Sequence, residues 1–367
     1  MNLLISTLAN LEDIASKDLK NIVKKKLSVI SPSLLLIEKA NLTDLYNVAY
    51  FSRSINKVVI LLKHFTFNSL EDILKEISKI NFQPYLKEKF SVSCKRKGDH
   101  IFNSQPIIQN TVKVISNKYN IPADYKNPNS IIDINIIDNK CFISIDLIGL
   151  ELSKRYYKVK TSHLDINSSL AFCLTQIAGL NKKKLLLDPF CGNSSIVIEA
   201  ALSSKNIPNL YNRSNLKIPP KIIANLNKKI DKSKSKGHIF GSDPKYFNIK
   251  NCRINAKVAQ VSECIDFQNY DLEWIDTKFK KKSIDIIATN PPIITKRNEE
   301  DTISMYKQLF YQASYVLKKN GVIVLITATP ELLLGIIDEY NLKIDEKRKI
   351  LIGNLEYTIL KCNQKKS

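Results

Sequence analysis

The sequence predicts an α/β protein in two parts. The N-terminal half should be an α+β module, and the C-terminal half a doubly wound parallel sheet with an antiparallel hairpin at one edge. Three observations support this prediction. The chain has 367 residues, too many for one compact core. Apolar runs in roughly the first 150 residues switch irregularly between strand and helix periods, whereas after residue 167 short apolar strands alternate regularly with helical segments.

The N-terminal half shows the irregular alternation that is typical of a small α+β unit. The clearest helix covers residues 70–80, where Leu70, Ile73, Leu74 and Ile77 fall on one face. The predicted elements are, in order, strand 3–7, helix 11–26, an extended stretch 29–38, helix 42–51, strand 57–63, helix 70–80, strand 90–95, helix 105–119 and strands 131–136 and 141–148.

The C-terminal half predicts a parallel sheet, because helices separate most of its strands. Two late strands, 347–352 and 356–360, lie so close together that only a hairpin can join them. The lysine-rich stretch 217–236 should be an exposed helix or a linker. The other predicted elements are helix 168–178, strand 185–187, helix 195–202, strand 238–242, helix 246–258, strands 263–267 and 284–288, helix 302–318 and strand 322–327.

The charge balance points to a polyanionic partner. Lys plus Arg number 56 and Asp plus Glu 35, which gives a net charge of +21. Such a surplus attracts nucleic acid, although lysine enrichment also arises from a solvated surface or a biased genome. The candidate phosphate contacts are Lys95, Arg96, Lys97, Lys154 and Arg155.

The same sequence argues against a membrane or secreted protein. It has no apolar run of about 18 residues, and Glu12 and Asp13 follow the N-terminus too closely for a secretory signal. The seven cysteines form no CxxC pair, so we expect reduced thiols, no metal site and a cytoplasmic protein.

Three segments at the carboxyl ends of predicted parallel strands carry candidate ligand-binding groups, because open α/β sheets bind ligands at that edge. They are residues 188–192 (Asp-Pro-Phe-Cys-Gly), Asp243, and 290–292 (Asn-Pro-Pro). Two successive prolines fix φ and remove donors, which holds the Asn290 amide and nearby carbonyls as acceptors. Each segment alone could also be a helix N-cap or a strand terminator.

Together, in this order and spacing, these segments resemble the motifs of class I S-adenosylmethionine-dependent methyltransferases. The stretches LSKRYYKV, DPFCGNSSIVIEAAL and NIPNLYNR look more specifically like the THUMP-domain RNA guanine-N2 methyltransferases, and FSVSCKRKGDHIFNS and ISIDLIGLELSKR match the THUMP half. The resemblance implies a ferredoxin-like region at 1–63, an RNA-binding THUMP domain at 64–155 and a Rossmann-like methyltransferase domain at 156–367. It implies methylation of a tRNA guanine, with position 6 favoured, and contact with the acceptor end.

The resemblance also implies residue roles. Asp243 should bind the cofactor ribose, and Asp271 its adenine amino group, with Asp266 as a near competitor. Asn290 and the Pro291 carbonyl should accept hydrogen bonds from the guanine N2 amino group. The methionine part of S-adenosylmethionine should lie against Asp188, Pro189, Phe190, Cys191, Gly192 and Ser194, and the base-binding turn should continue through Pro292 and Ile293.

Two departures from the family pattern leave alternatives open. The family usually reads DPxCGSGT and NPPYG, whereas this chain has Asn193-Ser194-Ser195 and Ile293-Ile294. Ser194 adds a Cβ near the cofactor and is strained if its φ is positive. Ile293 lacks a stacking face worth about 1–3 kcal/mol. The alternatives are an RNA-binding protein that has lost turnover, or a methyltransferase acting on rRNA guanine or adenine N6.

Overall fold

In the computed structural model, residues 1–162, 165–214, 216–228, 230, 238–294, 298–353 and 355–365 are described. These residues form two seven-stranded sheets, each covered by helices. The predicted two-part α/β fold is confirmed.

The first sheet joins the N-terminal and THUMP regions into one structure. Its strands are β1 (Asn2–Thr7), β2 (Leu27–Ser31), β3 (Leu34–Ile37), β4 (Ile55–Thr66), β5 (Phe90–Lys97), β6 (Ser130–Ile137) and β7 (Lys140–Asp146), in the spatial order β2-β3-β1-β4-β7-β6-β5. Strand β4 pairs with β1 on one side and with β7 on the other. The boundary proposed at residues 63 and 64 therefore falls inside a strand that both regions share.

Four helices flank this sheet: α1 (Glu12–Ile22), α2 (Leu42–Phe51), α3 (Leu70–Ser78) and α4 (Ser104–Tyr119). Helix α3 begins at a capping box, in which Ser69 and Asp72 satisfy each other's backbone N–H groups, and it buries Ile73 and Ile77. The stretch predicted as one extended segment, 29–38, is instead a hairpin of β2 and β3. Pro32 and Ser33 form its turn, because Ser33 adopts a φ of 64° that a continuous strand does not allow.

The second sheet has the order β10-β9-β8-β11-β12-β14-β13. The first five strands run parallel, and β14 and β13 add the predicted antiparallel hairpin. The strands are β8 (Leu186–Asp188), β9 (Ile239–Ser242), β10 (Ile265–Gln268), β11 (Ile284–Thr289), β12 (Leu317–Thr327), β13 (Leu342–Ile352) and β14 (Leu355–Gln364).

The helices of this half are α5 (Ser168–Ile177), α6 (Ser195–Ser204), α7 (Pro220–Asn227), α8 (Tyr246–Val258), α9 (Ile275–Lys278), α10 (Glu299–Val316) and α11 (Pro330–Glu339). Sequence patterning did not predict α11, although Pro330 at its first turn is a favourable helix start. The predicted exposed helix at 217–236 corresponds to α7, while residues 229 and 231–237 of that stretch lie outside the described residues.

A buried charge cluster connects the two halves. The Glu199 carboxylate on α6 is fully buried and accepts hydrogen bonds from Arg155 Nε at 2.8 Å and from the Tyr157 hydroxyl at 2.9 Å. Arg53 Nη1, from the N-terminal half, lies 3.6 Å from Glu199 Oε2. Arg155 also donates to the Arg53 backbone carbonyl at 2.7 Å. This cluster is an interdomain ion network.

Arg155 is therefore not an RNA contact, and that prediction is wrong. Its side chain is only 1% exposed. Its N–H donors are taken by Glu199 and by the carbonyls of Leu152 and Arg53, so the guanidinium cannot reach a phosphate.

The β13–β14 hairpin is tied to the N-terminal half by Arg348, which donates from Nη2 to Asp13 Oδ2 at 2.8 Å. The seven cysteines all lie in the described ranges as free thiols, and six of them are buried. None of the described helices combines the length and the apolar character that crossing a bilayer requires.

Candidate functional site

The three candidate segments meet at the carboxyl edge of the second sheet, because β9, β8 and β11 are neighbouring parallel strands. Asp188 ends β8 and is 1% exposed. Its Oδ1 accepts a hydrogen bond from Thr289 Oγ1 at 2.6 Å and another from the Phe190 backbone N–H at 3.1 Å. Because Thr289 immediately precedes Asn290, this bond ties the loop after β8 to the turn after β11.

Burial determines the ionisation of Asp188. Loss of solvent raises the pKa of its carboxyl group to about 7, against the hydrogen bonds from Thr289 and Phe190 that favour the ionised form. The nearby charge of Asp243 raises this pKa further. Asp188 is thus an internal anchor between two loops.

Asp243 links the loop after β9 to the glycine of the first segment. Its Oδ2 accepts from the Gly192 backbone N–H at 3.1 Å, and its Oδ1 accepts from Lys245 N and Asn248 Nδ2, each at 2.9 Å. The side chain is nearly buried, with 6% of the residue exposed. Each carboxylate oxygen has two lone pairs, so Oδ2 keeps the capacity to accept from one more donor.

Ser194 has the left-handed backbone conformation that the sequence raised as a question. Its φ is 72° and its ψ is 23°, and it is the N-cap residue of α6. The residue is fully buried, and its hydroxyl donates to the Asn193 carbonyl. A serine in this region costs about 1–2 kcal/mol relative to a right-handed conformation, which the family's usual glycine avoids.

Asn193, the other departure in this loop, is the centre of a polar network that sequence reasoning missed. Its Nδ2 donates to Asp165 Oδ1 at 2.9 Å, and its Oδ1 accepts from Asn251 Nδ2 at 3.3 Å. Asn255 Nδ2 donates to the Asn193 carbonyl at 3.1 Å and to the Lys160 carbonyl at 2.8 Å. The signal was present in the sequence, because Asn251 and Asn255 are polar residues four apart on the apolar face of α8.

The residues of the Asn-Pro-Pro turn and the two that follow it differ in exposure. Asn290 is half-buried and Pro291 is buried, whereas Pro292 is exposed. Ile293 is 38% exposed at the surface of the turn, while Ile294 is 7% exposed and packs into the core beside α10. The second isoleucine is therefore a core residue, and of the two isoleucines Ile293 is the one whose side chain can meet a ligand.

Tyr306 on α10 is hydrogen-bonded to this turn. Its hydroxyl donates to the Pro292 carbonyl at 3.3 Å, and the residue is 1% exposed. Burial raises the pKa of the Tyr306 hydroxyl to about 12, so the group stays a donor at neutral pH.

The loop at 188–195 has the properties of a ligand cradle. A Cβ built on Gly192 would meet no atom of the described part of the chain within 4 Å, so these residues leave open space in front of this glycine. The hydroxyl of Ser195, in the first turn of α6, is buried and has no hydrogen-bond partner among the described residues. These two observations fit a bound polar molecule at this loop.

Asp271 and Asp266 are both exposed, so both can reach a ligand. Asp266 lies inside β10 and accepts from Gln268 Nε2 at 2.8 Å, whereas Asp271 follows the carboxyl end of the strand. Asn269 Nδ2 donates to the Asp243 carbonyl at 2.8 Å, which brings the Asp271 loop to the Asp243 loop. The position favours Asp271, whose role stays a prediction.

The remaining candidate RNA contacts differ in accessibility. Lys95 and Lys97 are exposed on one face of β5, and the Lys95 ammonium, with a side chain 70% exposed, lies 3.8 Å from a Glu151 carboxylate oxygen. Arg96 points to the other face, is half-buried, and places its guanidinium 5.7 Å from the centre of the Phe102 ring. Lys154 is exposed. The three lysines therefore remain available to a polyanion.

Known proteins similar to this chain include two archaeal enzymes. A tRNA (guanine(6)-N2)-methyltransferase of Methanocaldococcus jannaschii is 26% identical over 344 residues, which cover 89% of this chain and 88% of that protein. An enzyme of the same description from Archaeoglobus fulgidus is 23% identical, over 94% of this chain and 88% of that protein.

Solved structures share the fold. TrmN from Thermus thermophilus superposes with a TM-score of 0.75 at 18% identity, covering 99% of each chain. A possible methylase from Clostridium difficile 630 gives a TM-score of 0.84 at 24% identity, covering 100% of this chain and 98% of that chain.

Residues 67–146 match the THUMP domain, and residues 155–358 match the RMKL-like methyltransferase domain. The chain therefore belongs to the RMKL-like methyltransferases and carries a THUMP domain.

Proposed function

We propose that this protein transfers a methyl group from S-adenosylmethionine to the N2 amino group of a guanine in tRNA, at position 6. The observation that carries the proposal is the 2.6 Å hydrogen bond between Thr289 and Asp188, which holds the Asn-Pro-Pro turn beside the cofactor loop. The two archaeal relatives named for this reaction match the chain over most of their length.

The residues at the carboxyl edge fit the methyl donor. S-adenosylmethionine, when bound, supplies an electrophilic methyl group on a sulfonium sulfur. The open space in front of Gly192 and the buried Ser195 hydroxyl suit its methionine part, along the loop 188–194. Asp243 Oδ2 has the lone-pair capacity to accept from a ribose hydroxyl, and Asp271 would accept from the adenine amino group.

The Asn-Pro-Pro turn would position the guanine. The guanine N2 amino group is a poor nucleophile, because its lone pair is delocalised into the ring. The Asn290 side-chain oxygen and the Pro291 carbonyl would accept its two N–H bonds and so aim the lone pair at the methyl group. The Tyr306 hydroxyl holds the Pro292 carbonyl and limits movement of the turn. The proton can leave after attack, so this arrangement requires no strong general base.

The THUMP half would hold the tRNA acceptor end. Lys95, Lys97 and Lys154 are exposed and carry charges that suit phosphates. Because tRNA is the expected partner, we place the protein in the cytoplasm. All residues with a role in this chemistry belong to one chain, so an accessory subunit would contribute to RNA binding.

Ribosomal RNA is the second candidate substrate, because a ribosomal RNA large subunit methyltransferase K/L of Buchnera aphidicola is 26% identical over 340 residues. Those residues cover 86% of this chain but only 48% of that protein. The relatives named for tRNA match over 88% of their own length, which favours tRNA.

The proposal is tested by incubating the protein with methyl-labelled S-adenosylmethionine and a bulk tRNA pool, followed by nucleoside analysis. We expect label in N2-methylguanosine, loss of that label with Asn290→Ala, and normal labelling with the matched Asn320→Ala, which changes an exposed asparagine on β12. Label in N6-methyladenosine would contradict the proposed substrate, and so would label in a parallel incubation with ribosomal RNA together with none in the tRNA pool. Tight tRNA binding without any label would instead support a binding protein that has lost turnover.

A further inference from the structure

Helix α8 has a solvent-facing stripe that the proposed reaction does not use. Tyr246, Lys250, Arg253 and Lys257 are spaced by four, three and four residues, which places them along one side of the helix. All four are exposed, and the 13-residue helix contains no Asp or Glu. The stripe is about 16 Å long, at 1.5 Å per residue. It is a line of three cations with an aromatic ring at one end.

That aromatic end lies at the mouth of the candidate site. Tyr246 is 65% exposed and the adjacent Phe247 is 70% exposed. The helix begins three residues after Asp243, and Asn248 Nδ2 donates to Asp243 Oδ1 at 2.9 Å, so the first turn is fixed against the predicted ribose site. Two neighbouring aromatic rings left in water beside a binding site are an unusual use of apolar surface.

We propose that this face of α8 binds the RNA strand that flanks the target guanine, in the unpaired state that gives the base access to the site. Tyr246 and Phe247 would stack on bases, and Lys250, Arg253 and Lys257 would contact successive phosphates. The proposal rests on the proposed function for the identity of the RNA. A positive track combined with aromatic platforms is the usual means of holding single-stranded nucleic acid.

Arg253 supports this assignment. Its Nη2 donates to the Phe267 carbonyl at 3.2 Å, which uses one of the five guanidinium N–H donors and fixes the side chain on the exposed face. A fixed guanidinium loses less conformational freedom when it meets a phosphate. Duplex RNA would not use the rings, because its bases are already stacked on one another. The grouping of both rings at the catalytic end therefore favours an unpaired strand.

The first test measures the salt dependence of RNA binding. The affinity of a fluorescein-labelled, single-stranded RNA 12-mer is determined by anisotropy between 50 and 300 mM KCl. Combined Lys250→Gln, Arg253→Gln and Lys257→Gln should lower the slope of log K against log salt by about 2, since each contact to a single strand contributes about 0.7. The matched control removes Lys280, Lys281 and Lys319, three exposed lysines at the amino edge of the same sheet, and should leave the slope unchanged. Equal slopes for the α8 triple variant and the wild type would overturn the proposal.

The second test examines the rings. Tyr246→Leu and Phe247→Leu should each weaken binding of the single strand by roughly 5- to 150-fold, with little change for a hairpin duplex, whereas Tyr246→Phe and Phe247→Tyr should retain binding. Unchanged single-strand affinity of both leucine variants would overturn the stacking role. The stacking role would also be overturned if the leucine variants lost affinity for S-adenosylmethionine in calorimetry but bound RNA like the wild type, because the rings would then contact the cofactor.

These results are separable from the proposed function. If the wild-type protein transfers no methyl group to guanine while the α8 variants still lose single-strand affinity, the reaction is wrongly assigned and the binding face stands. If methyl transfer occurs and the α8 variants bind RNA like the wild type, only the binding face is refuted.

Discussion

Replacing Glu199 with glutamine should destabilise the whole protein, because this carboxylate balances two buried guanidinium groups. Glu199 is fully buried, and it contacts Arg155 through Nε at 2.8 Å and lies 3.6 Å from Arg53 Nη1. Glutamine has nearly the same volume, but it carries no charge and would turn an NH2 group toward one of the guanidinium groups. Breaking a buried pair by removing one partner costs about 3–5 kcal/mol.

The expected change can be measured by thermal unfolding. An unfolding entropy of about 2.1 cal/mol/K per residue over 367 residues amounts to about 0.8 kcal/mol/K. A loss of 3–5 kcal/mol therefore corresponds to a fall in Tm of roughly 4–6 °C. Circular dichroism or scanning calorimetry at pH 7 resolves such a shift.

The matched control is Glu356→Gln, which also removes one carboxylate from an ion pair. Glu356 lies 3.0 Å from the Lys349 ammonium, and the two side chains are 57% and 73% exposed, so water replaces the lost contact and the change should be under about 1 kcal/mol. Equal shifts for Glu199→Gln and Glu356→Gln would refute the conclusion that the buried network holds the two halves together.

Three other predictions follow from the described geometry. Ser194→Gly should change the free energy of unfolding by less than about 1 kcal/mol, because the relief of backbone strain is offset by the loss of a hydrogen bond. Ser194→Val should cost more than about 2 kcal/mol, because a β-branched residue is strained at a φ of 72°, and equal effects of the two variants in urea titrations would contradict the left-handed conformation. Burial raises the pKa of Asp188 above its unfolded value to about 7, so its contribution to stability is present at low pH and is lost as pH rises toward 7. Relative to Asp188→Asn, the free energy of unfolding of the wild type should fall by about 3 kcal/mol between pH 5 and pH 8, and a constant difference between the two proteins would refute this. The Arg348 guanidinium lowers the pKa of Asp13, so the stability that this pair contributes is present above the unfolded pKa near 4 and is lost as pH falls through the lowered folded value. Asp13→Asn should therefore cost up to about 1 kcal/mol at pH 7 and less at pH 2, as measured by denaturant unfolding, and a larger cost at pH 2 would be inconsistent with this ion pair.

Much of the fold was predictable, because the apolar periodicity of this chain is strong. Helix α8 has the predicted bounds, and the short spacing between the last two strands correctly indicated the edge hairpin. The β2–β3 hairpin was missed because its turn depends on a positive φ at Ser33, a serine, where the sequence offers no glycine as a marker. Helix α11 was missed although its apolar residues follow Pro330, a residue that suits the first turn of a helix.

The candidate site was predictable in its positions but not in its contacts. Strand ends indicated Asp188, Asp243 and Asn290, since parallel strands bring their carboxyl ends to one edge. Arg155 was misassigned because it lies in a basic run that resembles solvated surface. The contrary signal was Glu199, an acid inside the apolar helix α6, which requires a buried partner of opposite charge.

The buried Glu199 network also has a consequence for the order in which the chain matures during synthesis. Arg53 precedes Glu199 by 199 − 53 = 146 positions. At about 5–20 residues per second, the ribosome needs roughly 7 to 30 s to make the carboxylate after the arginine. The first sheet, whose last strand β7 ends at Asp146, is fully synthesised before Glu199, so Arg53 has no Glu199 carboxylate to pair with until α6 is made. Docking of the two halves is therefore a late event that waits for the second half, and a nascent chain arrested before α6 should leave Arg53 open to solvent.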